Sequence, residues 1–221
     1  NQKALALYAE ALVLESGNDE ILWRISRAYV DIAEHMPVGD EEEKEKQLLM
    51  YEKALEFANK SVETNPNSSM AFTRRAVATG RVSLSNGMWT SIGMMKDMRE
   101  DLEKAISLDS ANHAAYYALG RTHMRVIDRP FILRWPLGLG WGSREEAIKN
   151  FEKAITLRED FVLYRLECAS AYIEEGELEK ARAHLTIISS LPTLDEDDEM
   201  YRKEASELLD KIKSEEEDDE R

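Results

Sequence analysis

The sequence predicts an all-α chain: a right-handed solenoid of antiparallel helix hairpins, with enlarged hairpins and a C-terminal capping helix. Three observations carry this. A helical phrase returns four times, as YAEALVLE at 8–15, ANKSVETN at 58–65, LEKAISLD at 102–109 and FEKAITLR at 151–158. Small residues recur at a fixed offset: Ser26, Ala76, Gly120 and Ala169 follow Ala11, Ser61, Ala105 and Ala154 by 15 residues each. No stretch alternates apolar and polar side chains as a half-buried strand does. Self-similarity at fixed spacing marks a stacked array, in which each unit buries its apolar face only against its neighbours.

Taken in order, residues 1–16 read as the second helix of a truncated repeat. Hairpins follow at about 19–65, 69–109, 112–158 and 161–191, then a capping helix at about 195–214 and an acidic tail at 215–221. Residues 1–214 thus form one repeat domain. The capping helix is drawn from one apolar stripe, Met200, Ala205, Leu208, Leu209 and Ile212. Asp40–Lys46 reads as the solvated first turns of a long helix, where acidic groups suit the positive dipole end. The chain opens without a methionine and inside a hairpin, so a signal, an anchor or the rest of a repeat is expected upstream. That leaves the compartment open between periplasm and cytoplasm.

The residue pattern is of the tetratricopeptide kind, W-x2-L-G-x2-Y, then A-x3-F, then P, on a period of about 34 residues. Tyr116, Leu119, Gly120 and His123 fall on the first half, Ala147 and Phe151 on the second. Leu22, Ile25, Ser26 and Tyr29 repeat the first half, and Pro66 takes the closing position. Small residues are needed where two helices cross closely, and large apolar ones fill the space beside them. The copies here are 50, 44 and 49 residues apart. The surplus over the standard period is roughly 16, 10 and 15 residues. It falls inside the hairpins, near 36–49, 86–95 and 128–143, where Met36-Pro37-Val38-Gly39, Asn86-Gly87 and Arg129–Gly142 break the helical pattern.

These segments resemble the tetratricopeptide domain of the regulator of microtubule dynamics family and its bacterial relatives. The residues that carry the resemblance are WRISRAYVDIAE at 23–34, DEEEKEKQLLMYEKALEFANKSVETNP at 40–66, LEKAISLDSANHAAYYALGR at 102–121 and EEAIKNFEKAITL at 145–157. A tryptophan-bearing insertion before the last copy matches too. The chain departs from the family at NGMWTSIGMMKDMRED, residues 86–101, and at WPLGLGWGS, residues 135–143. The resemblance implies a non-enzymatic scaffold. Animal members are associated with microtubules, and one with organelle contact sites and phospholipid binding.

In such an array the first helix of each hairpin lines the concave side. The ligand-facing positions lie three before and one, four and five after the small-residue column. They give Trp23, Arg27, Val30 and Asp31; Thr73, Val77, Gly80 and Arg81; Tyr117, Arg121, Met124 and Arg125; and Leu166, Ser170, Ile173 and Glu174. The chain has net charge −15, yet four of these positions are arginine. Arginine forks recognise carboxylate and phosphate, and aromatic rings add contact area. The bland reading is that Arg27, Arg81, Arg121 and Arg125 pair with acidic neighbours, and that Trp23 packs between helices.

The insertion at 128–143 is too apolar for a solvated loop: Phe131, Ile132, Leu133, Trp135, Leu137, Leu139 and Trp141. It is read as folding back on its own hairpin, with Trp135 and Trp141 at least partly shielded by the protein itself; a lid over the groove and a membrane or partner contact are the competing readings.

Signals for catalysis are missing. His35, His113, His123 and His184 have no metal-ligand spacing, and Cys168 has no indicated histidine partner and reads as a buried small residue. No metal or other cofactor is called for. With one cysteine no internal disulfide is possible. No apolar run is long enough for a transmembrane segment, and no basic stripe suits nucleic acid. The expected function is an interaction scaffold, not an enzyme, whose groove binds a protein segment bearing acidic groups. The alternative is a phospholipid or other anionic amphiphile in the same groove.

Overall fold

The computed structural model describes the backbone of residues 1–84 and 88–219, and side chains other than those of 85–90, Leu133 and 215–221. Among these residues there are helices and no strands. They are α1 (Gln2–Leu14), α2 (Asp19–Glu34), α3 (Glu41–Thr64), α4 (Ser69–Leu84), α5 (Met88–Leu108), α6 (His113–Ile127), α7 (Phe131–Arg134), α8 (Arg144–Leu157), α9 (Val162–Glu174), α10 (Leu178–Ile188) and α11 (Asp198–Asp219).

Helix starts follow from side chains that satisfy the first free N–H groups. Asn18 accepts from the N–H of Glu20 and Ile21 at 3.0 and 3.2 Å. Asp40 accepts from Glu43 N–H at 2.8 Å, and the Glu43 carboxylate accepts from Gly39 N–H at 2.6 Å. Asn112 accepts from Ala115 N–H at 3.1 Å and donates to the hydroxyls of Ser69 and Thr73, so it caps α6 and ties it to α4.

The hairpins α2–α3, α4–α5, α6–α8 and α9–α10 stack in order, with α1 against α2 and α11 against α9 and α10. The small-residue columns sit where helices cross. Ser26, Ala76, Ala169, Ser61, Ala105 and Ala154 are fully buried. A Cβ at Gly120 would stand 2.6 Å from Phe151 Cε1, so α6 and α8 approach this closely only with glycine there.

Two of the three surpluses are mostly helix, not loop. Residues 41–49 and 88–95 are helical and lengthen α3 to 24 and α5 to 21 residues. Asn86-Gly87 lies outside the described residues. Among the described residues 36–40 form a short turn, and 128–143 is the long irregular insertion, which splits by depth. Leu139 is fully buried, with Leu137 and Trp141 packed beside it. Gly142 sits so close to Val126 that no side chain fits between them. Phe131, Ile132 and Trp135, however, face solvent, Trp135 at 83% exposure. The expectation that Trp135 is shielded is therefore wrong: α7 is a single turn, and the buried anchors lie C-terminal to it. The Leu133 side chain is outside the described set.

Three smaller corrections concern the last helices. The helix α11 begins at Asp198 and continues through the acidic run to Asp219 instead of giving way to a tail. Met200 is off its buried stripe at 58% exposure, whereas Ala205 and Ile212 are buried. Cys168 is buried but has a histidine partner: its Sγ lies 3.8 Å from His184 Nε2. The 16-residue spacing hides this contact, because it crosses from α9 to α10.

Candidate functional site

The first helices α2, α4 and α6 stand side by side and wall a cavity of about 550 Å³. Trp23, Arg27, Val30, Thr73, Val77, Arg81, Tyr117, Arg121 and Arg125 line it. Met124, Leu166, Ser170 and Ile173, expected on the same wall, do not line it. Leu166 is buried in the cluster that holds Ala205 and Ile212, and Ile173 packs against that cluster, so α11 covers their face of α9. The Ser170 hydroxyl donates to the Leu166 carbonyl at 3.0 Å, and Met124 packs on the α8–α9 cluster.

The groove is completed instead by the start of α9 and by the linker before α11. Phe161, Leu163 and Tyr164 close one side, and Leu194 and Asp195 lie across another. The linker is held by Asp198, which accepts from the N–H groups of Leu194 and Asp195 at 2.7 and 3.0 Å. It reaches the first hairpin through His35, whose Nε2 is 3.2 Å from an Asp197 oxygen. At the α6–α9 side, Tyr117 and Tyr164 stack at 4.6 Å, and His113 Nδ1 meets the Tyr164 hydroxyl at 2.7 Å. The floor is apolar, with Met70, Val77, Met98 and Leu102.

Six arginines line the cavity against three carboxylates, in a chain whose net charge is −15. Most are engaged. Arg27 pairs with Asp31 at 3.4 Å, Arg81 with Glu34, and Arg121 with Glu167 and the Tyr117 hydroxyl. Arg125 donates to the Gly80 carbonyl at 2.9 Å. Arg158 pairs with Asp160 at 3.4 Å. Burial pushes the carboxyls of Asp31, Glu34 and, behind the wall, Glu167 up despite these arginines.

Arg74 differs. It makes no hydrogen bond or ion pair among the described residues, and its Nε is buried without an acceptor. Its guanidinium carbon sits 5.9 Å from the Trp23 ring centroid. Burial, reinforced by the like charge of Arg27 and partly offset by the Asp31 carboxylate, lowers its pKa to about 10, so at neutral pH it stays charged while its buried Nε has no described acceptor. The repeat arithmetic misses it because it sits two residues before the small column, not three. The available signal is the Arg74-Arg75 pair inside a helix otherwise made mostly of small and apolar residues.

Comparison with known proteins places this fold. The family described as Regulator of microtubule dynamics protein 1-3 matches residues 1–213. The chain belongs to that family. Regulator of microtubule dynamics protein 1 of Bos taurus is 29% identical over 204 residues, 88% of this chain and 62% of that protein. Protein 3 of Rattus norvegicus is 24% identical over 216 residues, 94% of this chain and 44% of that protein. The chain therefore spans less than two thirds of these family members. Among solved structures, TTC0263, a thermophilic TPR protein of Thermus thermophilus, superposes with a TM-score of 0.64 at 17% identity, covering 91% of this chain and 88% of that one. MamA 41-end from Desulfovibrio magneticus RS-1 gives 0.53 at 18% identity, covering 86% and 84%. These likenesses establish the tetratricopeptide-type solenoid.

Proposed function

We propose that this chain is a non-catalytic scaffold whose concave groove binds an acidic segment of a partner protein. The observation that carries the reading is Arg74: a guanidinium in the groove wall that makes no hydrogen bond or ion pair among the described residues, flanked by Trp23 and backed by an apolar floor. A carboxylate on the incoming segment supplies the missing acceptor. Charge-assisted hydrogen bonds of this kind contribute about 1.5–3 kcal/mol when the site is dry. Tyr117, Tyr164 and Phe161 supply ring surface for the segment's apolar side chains.

The test is capture of partners from extract by three proteins: wild type, Arg74→Met, and Arg121→Glu with Arg125→Glu. Partners lost with both variants support the groove, and equal capture by all three removes it. Co-sedimentation with polymerised microtubules, with and without Arg74→Met, asks whether the role in the family's name extends to this chain. The apolar floor supports a second reading, carriage of a phospholipid or other anionic amphiphile. Organic extraction of purified protein separates the two. A co-purifying acyl chain favours the carrier, and its repeated absence with no uptake from liposomes rejects it.

A further inference from the structure

We propose that Glu152, Cys168 and His184 form a binding site for a zinc-class divalent metal ion, on the side of the array formed by α8, α9 and α10. One ligand comes from each helix. Cys168 Sγ and His184 Nε2 are 3.8 Å apart, His184 Nε2 and Glu152 Oε1 are 3.1 Å apart, and all three ligand atoms lie within 4.8 Å of one another. Bond lengths of 2.0–2.3 Å to a tetrahedral ion imply ligand separations of about 3.3–3.6 Å. The Cys168–His184 and His184–Glu152 separations lie within a few tenths of an ångström of that range.

The chemistry of the set favours such an ion. Thiolate, imidazole and carboxylate together suit borderline metals rather than calcium or magnesium, which take oxygen. Binding expels one proton, from the Cys168 thiol to solvent. The His184 proton moves to Nδ1, which frees the Nε2 lone pair. The divalent charge then meets one thiolate and one carboxylate, so the half-buried site is neutral overall. Without a metal, burial and the Glu152 charge push the Cys168 thiol up and keep it protonated. The geometry around the ligands is already fixed. His184 stacks on Tyr172 at 5.7 Å and 17°, and the Tyr172 hydroxyl donates to Glu152 Oε1 at 3.0 Å. Glu152 is 39% exposed, which leaves a path for the ion and for a water as fourth ligand. His184 Nδ1 has no hydrogen-bond partner among the described residues. Zinc histidines usually donate that N–H to an outer acceptor, so the ion here is held loosely enough for a chelator to remove.

The alternative is a hydrogen-bond network of Glu152, His184 and Tyr172 with Cys168 as core packing, and cobalt(II) distinguishes the two. Titrating the full chain with Co²⁺ is expected to give a thiolate-to-cobalt charge-transfer band in the near ultraviolet. Intense visible bands of a four-coordinate ion should appear with it, saturate at one equivalent and be displaced by Zn²⁺. Cys168→Ser, which preserves volume, should abolish the thiolate band with an unchanged helical spectrum. Tyr172→Phe should weaken binding about 10-fold. The proposal is overturned if the wild type gives no thiolate band, or only the pale spectrum of an oxygen-bound ion that Cys168→Ser shares.

Discussion

The Arg74 guanidinium lies over the indole of Trp23, 5.9 Å from its centroid, where α2 and α4 meet. The neighbouring Arg75 points the other way and forms two hydrogen bonds, 2.7 and 2.6 Å, to the buried carboxylate of Asp101. Two adjacent arginines on one helix thus have opposite fates. One completes the stacking of α4 on α5. The other stays charged in the groove, beside an aromatic face and without a hydrogen bond among the described residues.

That contrast sets the first prediction. Removing an unpaired, poorly hydrated cation relieves desolvation and exposes little apolar surface. Arg74→Met is expected to leave the melting temperature unchanged or raise it, while weakening an acidic peptide on the order of 10–100-fold. Thermal unfolding and titration calorimetry on the same samples check this. A lowered melting temperature with undiminished affinity makes Arg74 a packing residue.

Glycines give a second, two-sided prediction. At Gly120 a methyl group meets the Phe151 ring at 2.6 Å and the Ala147 carbonyl oxygen at 3.0 Å, neither of which is a flexible end. Gly120→Ala is expected to cost about 1–3 kcal/mol through overpacking. Gly93 lies inside α5, and a Cβ added there would have nothing within 4 Å. Gly93→Ala is expected to stabilise by up to about 1 kcal/mol, the helix-propensity difference. Urea unfolding of both variants reads the opposite signs.

The fold was legible because a solenoid repeats its constraints. The buried small residues Ser26, Ala76 and Ala169 sit at one offset, and each copy confirms the others. The groove was legible only where three first helices stand side by side. On α9 the same offsets point into α11, a packing choice that no local pattern encodes, so Leu166 is buried in the core and Ile173 packs against it. Leu194 and Asp195 reach the groove from a distant linker, which period arithmetic does not reach. Cys168 and His184 meet for the same reason, through helices whose pairing fixes the contact but whose sequence spacing does not announce it.

His123 gives the chain a defined acid sensitivity. It is buried, its Nδ1 accepts from Ser143 N–H at 3.3 Å, and its ring stands edge-on to Trp141. Burial, with Arg99 nearby, holds it below its ordinary value of 6.5. The unfolded chain then binds a proton near 6.5 that the folded chain refuses, so stability falls as pH drops through that value. His113, lowered by burial, adds in the same direction. His35, raised by its bond to the Asp31 carbonyl, contributes the opposite sign: stability present below its unfolded pKa and lost as pH rises through the folded one. Comparing wild type with His123→Phe isolates the first contribution. The variant should show a flatter fall from one unit above to one unit below about 6.5, the difference being at most about 1.4 kcal/mol per unit. Parallel profiles rule out the neutral-histidine account.

The insertion supplies the last prediction, because its two tryptophans have separate environments. Trp141 is packed between the His123 edge and the Arg99 guanidinium, whose carbon is 4.9 Å from the indole centroid. Trp135 is 83% exposed, and Phe131 and Ile132 are each 79% exposed. Trp135→Phe should remove emission that acrylamide quenches readily, and Trp141→Phe should remove shielded emission. Stability should divide the same way. Trp135→Ser is expected to change it by no more than about 0.5 kcal/mol, as for a surface residue. Leu139→Ala empties a fully buried position next to Val126 and Met95 and is expected to cost about 2–5 kcal/mol. Equal losses for the two substitutions would mean that α7 docks on the protein in solution, with Trp135 buried against it.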